Sequence, residues 1–169
     1  FYWDWRRRLE AEGYRSFCGT PPIHHIFGLN EALTMFEEEG GIQAVTNRHR
    51  CLATAVRAAV EAWSSAGAIE FNAENEHERS DSVTCVRVDP EYDADQVIEI
   101  ARAKYQLTMG KGIGPLTGSA FRIGHLGDLN VPMVLGALGA LETSLRACRI
   151  PIGSGGLEAA AEKLSDLSS

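Results

Sequence analysis

The stretch Phe121-Arg122-Ile123-Gly124-His125-Leu126-Gly127-Asp128-Leu129-Asn130 decides how the rest of the chain is read. From Ala120 to Gly124 the residues have strand character, and Asn130 is a good helix N-cap with Val134, Leu138, Leu141 and Leu145 spaced along one face behind it. Between them, Arg122 sits mid-strand with Phe121 and Ile123 on either side, so an always-charged guanidinium projects from a segment otherwise built for burial. Such a charge needs an anionic partner. One possibility is a structural ion pair with an acid such as Asp128 or Glu142; the other is a bidentate clamp on a substrate carboxylate, for which the planar fork of arginine is suited.

Upstream of this stretch, Gly110 to Ser119 is rich in glycine and proline and reads as a loop, preceded by a short strand at Leu107–Met109. Asp93 and Gln96 resemble a capping box for a helix with Val97, Ile98, Ala101 and Tyr105 on its buried stripe, and Ser82–Val88 is a β-branched strand closed by Asp89-Pro90. Asn72 to Asp81 holds acids and no large apolar residue, the pattern of a surface loop. Val45, Leu52, Val56, Val60 and Trp63 form the apolar stripe of a long helix with an Arg-rich, solvated opposite face, and an earlier helix runs from about Asn30 to Gly40-Gly41. Pro21-Pro22 is extended. Downstream, Gly136 and Gly139 inside the Leu-rich helix point to close backbone contact, and a polar helix at Leu157–Leu164 ends the pattern. The order of elements predicts an α/β domain with a small, mostly antiparallel sheet covered by helices on one side.

Composition narrows the function classes. The 169 residues are 44% hydrophobic and 23% charged, a globular balance, and a chain of this size buries roughly 70% of its unfolded surface without needing metal or disulfide staples. The formal charge of −7 disfavours nucleic acid and anionic lipid, and no apolar stretch reaches the roughly 18 residues a membrane span requires. Cys18, Cys51, Cys85 and Cys148 lie far apart without a C-x-x-C pair, which reads as reduced cytosolic thiols. Four aromatics in Phe1-Tyr2-Trp3-Asp4-Trp5 suggest a piece of a longer chain.

Other groupings carry little. The Gly110-Lys111-Gly112-Ile113-Gly114 loop has Pro115 where a dinucleotide fingerprint needs glycine, and no Ser or Thr follows Lys111 as a phosphate loop requires. His24-His25 with His125 and Asp128 offer no i, i+4 metal spacing, and no local signature selects a Cys/His nucleophile pair.

The ten-residue stretch, its preceding glycine-rich loop and its following Leu/Gly helix resemble the C-terminal signature of class V aminotransferases, closest to the serine–glyoxylate (alanine–glyoxylate) aminotransferases. Tyr2-Trp3-Asp4-Trp5, Thr20-Pro21-Pro22, Gly28-Leu29-Asn30-Glu31-Ala32-Leu33, Glu37-Glu38-Glu39-Gly40 and Ile150-Pro151-Ile152-Gly153 extend the resemblance over nearly the whole chain. It implies the C-terminal part of a type I pyridoxal-phosphate fold, in a homodimer with active sites between subunits. On that reading, residues 1–29 approach the active site from a large domain missing here and residues 30–169 form the small C-terminal domain. Arg122 matches the arginine that holds the α-carboxylate of the amino or oxo acid, and Thr20 matches a residue reaching the cofactor phosphate of the neighbouring subunit. Phe17 stands where a tyrosine often supplies a second phosphate contact.

Transamination needs a lysine that bonds the cofactor and shuttles a proton. Lys104, Lys111 and Lys163 lie outside the family's context for that residue, so the catalytic lysine is not in this chain and the fragment alone is expected to be inactive. The resemblance implies a cytoplasmic pyridoxal 5'-phosphate enzyme that moves an amino group from serine or alanine to glyoxylate, with no metal. The other reading of the residues is a non-catalytic α/β module that binds small carboxylates or dimerises.

Overall fold

The computed structural model describes residues 3–17 and 19–165, which fall into two compact units divided after Val45. The first unit holds α1 (Arg6–Leu9), a 3₁₀ turn (Gly13–Ser16), α2 (Ile23–Glu39) and the opening turn of α3 (Gly41–Ser64). The second holds the rest of α3, four strands and three further helices: β1 (Ile69–Phe71), β2 (Val83–Val88), α4 (Ala94–Tyr105), β3 (Gly110–Lys111), β4 (Ala120–Gly124), α5 (Val131–Ala147) and α6 (Gly156–Ser165).

In the first unit α2 begins seven residues before the Asn30 start that the sequence suggested. Proline tolerates a helix start because its missing N–H would be unpaired there, so Pro22 delimits α2 directly and Asn30 falls inside the helix, where its carbonyl accepts Thr34 Oγ1 at 3.1 Å. The boundary drawn after residue 29 thus lies within α2. Gly40 ends the helix in the left-handed region at φ 111°, and α3 starts at once from Gly41.

The sheet of the second unit is wholly antiparallel in the order β1-β2-β4-β3. In β4 the burial alternates about Arg122: Phe121 and Ile123 are buried and Arg122 is half-exposed between them. β2 alternates in step, with Thr84, Val86 and Val88 buried. The buried face meets Leu52, Val56, Val60 and Trp63 of α3, Val97, Ile98 and Ala101 of α4, and Val134, Leu138, Leu141 and Leu145 of α5 in one core. Asn130 caps α5 through Met133 N–H at 3.0 Å, as the sequence indicated, and Asp93 caps α4, though by accepting from Asp95 N–H rather than in a capping box with Gln96.

Three sequence expectations change. The strand placed at Leu107–Met109 is displaced to Gly110–Lys111, because Gln106 ends α4 in the left-handed region at φ 57° and the next residues bring Leu107 and Met109 to the core before pairing with β4 begins. β1 was not foreseen; three residues are too few for a periodicity to register. Gly136 of α5 has open space around it and Gly139 only ordinary contact with Leu157, so the close approach is elsewhere. A side chain at Gly153 would collide with the Ala62 carbonyl, and one at Gly156 with the Trp63 indole.

Candidate functional site

Arg122 stands on the sheet face away from the core, opposite Cys85 of β2 on one side and Gly110 of β3 on the other. Its Nε–H donates to the Lys111 carbonyl at 2.9 Å, which fixes the plane of the guanidinium. Among the described residues no carboxylate lies within ion-pair distance of it. Of the two acids considered from the sequence, Glu142 accepts from Trp63 Nε1 at 3.0 Å and pairs with Arg146 at 2.8 Å, and Asp128 is exposed beyond the end of the strand. The side chain therefore presents the two terminal amino groups of its fork with no anion among the described residues to neutralise them.

Lys111, which supplies that carbonyl, is itself tethered. Its ammonium donates to Asp95 Oδ2 at 3.1 Å, and Asp95 lies in the first turn of α4. Cys85, across the ladder, has its thiol pushed above the usual range by burial, with the Arg122 guanidinium pulling partly the other way. It is a thiol at rest, and Cys51, Cys85 and Cys148 are all free of disulfides; Cys18 lies outside the described residues.

The chain that leaves β4 is clamped. His125 is 1% exposed, with Nδ1 3.0 Å from the Asp81 carbonyl and Nε2 2.9 Å from Thr84 Oγ1. A carbonyl only accepts, so Nδ1 carries the hydrogen and Nε2 accepts from the threonine hydroxyl: the ring is satisfied as a neutral imidazole. Burial pushes its pKa below the ordinary value, against the Asp81 carbonyl, which favours the charged form. Two residues on, Gly127 N–H donates to His49 Nε2 at 3.0 Å and the Gly127 carbonyl accepts Arg48 Nη1 at 2.8 Å. The α3 face read as solvated therefore anchors two loops, since Arg57 also bonds the Ser80 carbonyl and pairs with Asp81 at 2.9 Å. His125 belongs to this clamp, and His24 and His25 are exposed on α2.

Thr20 lies in the first unit and is exposed on the rim of an open hollow of about 690 Å³ that Trp5, Arg8, Ser16, Phe17 and Pro22 also line. Arg8 stacks on the Trp5 ring at 5.0 Å. The sequence singled out Thr20 and Arg122 and marked Gly110-Lys111 only as part of a glycine-rich loop; it gave no hint of the pairing with Arg122 or of the histidine clamp, because a strand pairing between residues 110 and 122 has no local signature.

The sequence pattern of the family described as "Aminotransferase class-V" matches residues 6–114, more than half of the chain. The chain belongs to this family. The match ends before β4, but individual relatives carry it further. The serine–glyoxylate aminotransferase of Methylorubrum extorquens is 36% identical over 156 residues, 91% of this chain and 38% of the relative. An L-aspartate–glyoxylate aminotransferase of Paracoccus denitrificans is 36% identical over 155 residues, 90% of this chain and 38% of the relative. Among solved structures, the pyridoxamine–pyruvate aminotransferase of Mesorhizobium loti superposes with a TM-score of 0.80 at 32% identity, covering 90% of this chain and 38% of that one. The class V member described here thus spans less than two-fifths of the length of these relatives. Its sheet and helices have the fold of the C-terminal domain of a type I pyridoxal-phosphate enzyme. Among the described residues no helix is long and apolar enough to cross a membrane.

Proposed function

We propose that this chain is the carboxylate-binding portion of a class V aminotransferase that moves an amino group from serine or alanine to glyoxylate. The observation that carries the reading is Arg122: a guanidinium oriented by a backbone carbonyl, on the open face of a rigid sheet, with no protein carboxylate paired to it among the described residues. A small amino or oxo acid supplies the missing anion, and the planar fork donates to both carboxylate oxygens at once. Held at two points, the carboxylate cannot swing in its plane, and the Cα bonded to it is presented in one direction to the reacting group. The clamp on Gly127 and the buried His125 keep the end of β4 fixed while this happens.

Pyridoxal 5'-phosphate, when bound, supplies the electron sink through which an amino group leaves one carbon and joins another. The residues present fit its phosphate end: the Thr20 hydroxyl and the Arg8 cation line one hollow, a donor and a positive charge suited to a dianion. They do not supply its covalent anchor. Lys104 and Lys163 are exposed helix residues, and Lys111 is paired with Asp95, so none has the desolvated amine that such an attachment uses. The unit up to Val45 would then approach the cofactor and the unit from Thr46 form the small domain, in a cytoplasmic homodimer where Thr20 reaches the neighbouring subunit's phosphate. The exposed Phe27, Leu29 and Leu33 of α2 support an assembly that covers this unit.

Arg122→Lys in the intact enzyme tests the reading. Lysine keeps the charge and loses the fork, and one charge-assisted bond of about 1.5–3 kcal/mol is forfeited. Single-turnover rates with serine and with glyoxylate should both fall by roughly tenfold to a hundredfold, with the melting temperature lowered only by what the lost bond to the Lys111 carbonyl contributes. Normal rates in a destabilised variant would replace this reading with a purely structural arginine.

A further inference from the structure

Gly110 faces Arg122 across the β3–β4 ladder, and its backbone has no positive φ. The chain conformation therefore does not demand glycine at this position. What demands it is space: a Cβ built on Gly110 lies 3.1 Å from Arg122 Nε, 3.2 Å from Arg122 Cβ and 3.3 Å from Arg122 Cζ. Nε and Cζ belong to the flexible end of the side chain and can move away, whereas Cβ is held by β4, so a larger residue displaces the guanidinium and shifts the ladder by only a few tenths of an ångström. Gly112, two residues on, is the opposite case, because its Cβ would run into the Leu116 carbonyl and the 3₁₀ turn behind it.

We propose that Gly110 is a positioning residue for carboxylate binding: the missing side chain is a saddle over which the Arg122 guanidinium lies flat, aimed by the Lys111 carbonyl. This rests on the reading of Arg122 as the carboxylate clamp and deepens it. The saddle sets the direction of the fork, and the Lys111–Asp95 pair holds the next residue of the strand to α4, so the aiming carbonyl is itself fixed. A side chain at position 110 pushes Nε off that carbonyl, and the terminal amino groups swing with it. The site then retains its charge and loses its aim, which weakens a two-point contact with a planar carboxylate far more than a diffuse attraction for anions.

The test uses Gly110→Ala and Gly110→Val, graded in size. In the chain labelled with ¹⁵N, the Arg122 Nε–H resonance, identified by its loss in Arg122→Lys, should exchange with solvent faster in Gly110→Ala and faster still in Gly110→Val, with melting temperatures within a few degrees of wild type. In the intact enzyme, KM for glyoxylate should rise on the order of tenfold in Gly110→Val, what the loss of one hydrogen bond to a charged group costs. In an Arg122→Ala background, Gly110→Val should raise KM no further, because the two changes act through one contact. A raised KM in Arg122→Ala with a wild-type KM and wild-type exchange in Gly110→Val overturns the role of Gly110 alone. A wild-type KM in Arg122→Ala overturns the carboxylate reading itself.

Discussion

Helices α2 and α5 are both 17 residues long and both rich in aliphatic side chains, yet no described residue of α2 is buried, whereas Val134, Leu138, Leu141, Ser144 and Leu145 of α5 are. Ile23, Ile26, Phe27, Leu29, Leu33, Met35 and Phe36 of α2 are exposed. Apolar content decides that a helix wants a partner; only the presence of a packed surface turns that want into stability. α5 packs against α4 and α6 of its own unit and supplies a core, and α2 displays the same chemistry to solvent.

The widest contrast between the two units lies in large-to-small substitutions. Phe121, fully buried on β4, should cost about 3–5 kcal/mol when replaced by alanine, and Phe27 on α2 less than about 0.5 kcal/mol, measured by denaturant unfolding of the chain. A comparable loss at Phe27 would show that α2 is covered in solution, for instance by a second copy.

Glycines give the next contrast, with opposite signs. Gly156→Ala drives a methyl into the Trp63 indole and should destabilise by about 1–3 kcal/mol. Gly28, inside α2 with open space around it, should stabilise by up to about 1 kcal/mol on conversion to alanine, since helix propensity is the only thing that changes. Thermal melts of the two variants against wild type check both signs.

Helix starts differ by less. Asn130→Ala removes the bond that Met133 N–H makes at the start of α5 and should cost about 1 kcal/mol, whereas α2 has no side-chain cap to lose and Pro22→Ala should shift stability by well under that.

The last contrast is in pH. His125 has its pKa lowered by burial, so the unfolded chain takes up a proton before the folded one does. Stability from this residue is complete above the ordinary imidazole value and declines as pH falls below it, until the lowered folded-state value is reached. Protonation also forces Nε2 to donate to Thr84, reversing that bond. Unfolding curves between about pH 7 and about pH 5 should show a steeper loss for wild type than for His125→Gln. Equal slopes would place the acid sensitivity elsewhere.

Several of these features were legible in advance because they are local. The alternation around Arg122, the cap at Asn130, the stripe from Leu52 to Trp63 and the strand from Val83 each rest on neighbours a few residues apart, and each element lies where its pattern placed it. The start of α2 was misread because Asn30 offers a cap signal that Pro22 pre-empts, and β1 and β3 were missed or shifted because strands of two or three residues exist only through their pairing.

The sequence alone determined that Arg122 is a charge in a strand requiring an anion, that the sheet has one buried face, and that the chain resembles the aminotransferases to which it belongs. Only the tertiary structure decided that Glu142 is occupied by Arg146 and Trp63, that the Lys111 carbonyl aims the guanidinium, and that Gly110 leaves room for it. The physical reason is range: propensity, capping and alternation act between residues within a turn or two of one another, whereas the partner of a charge is set by which distant strands the ladder places side by side.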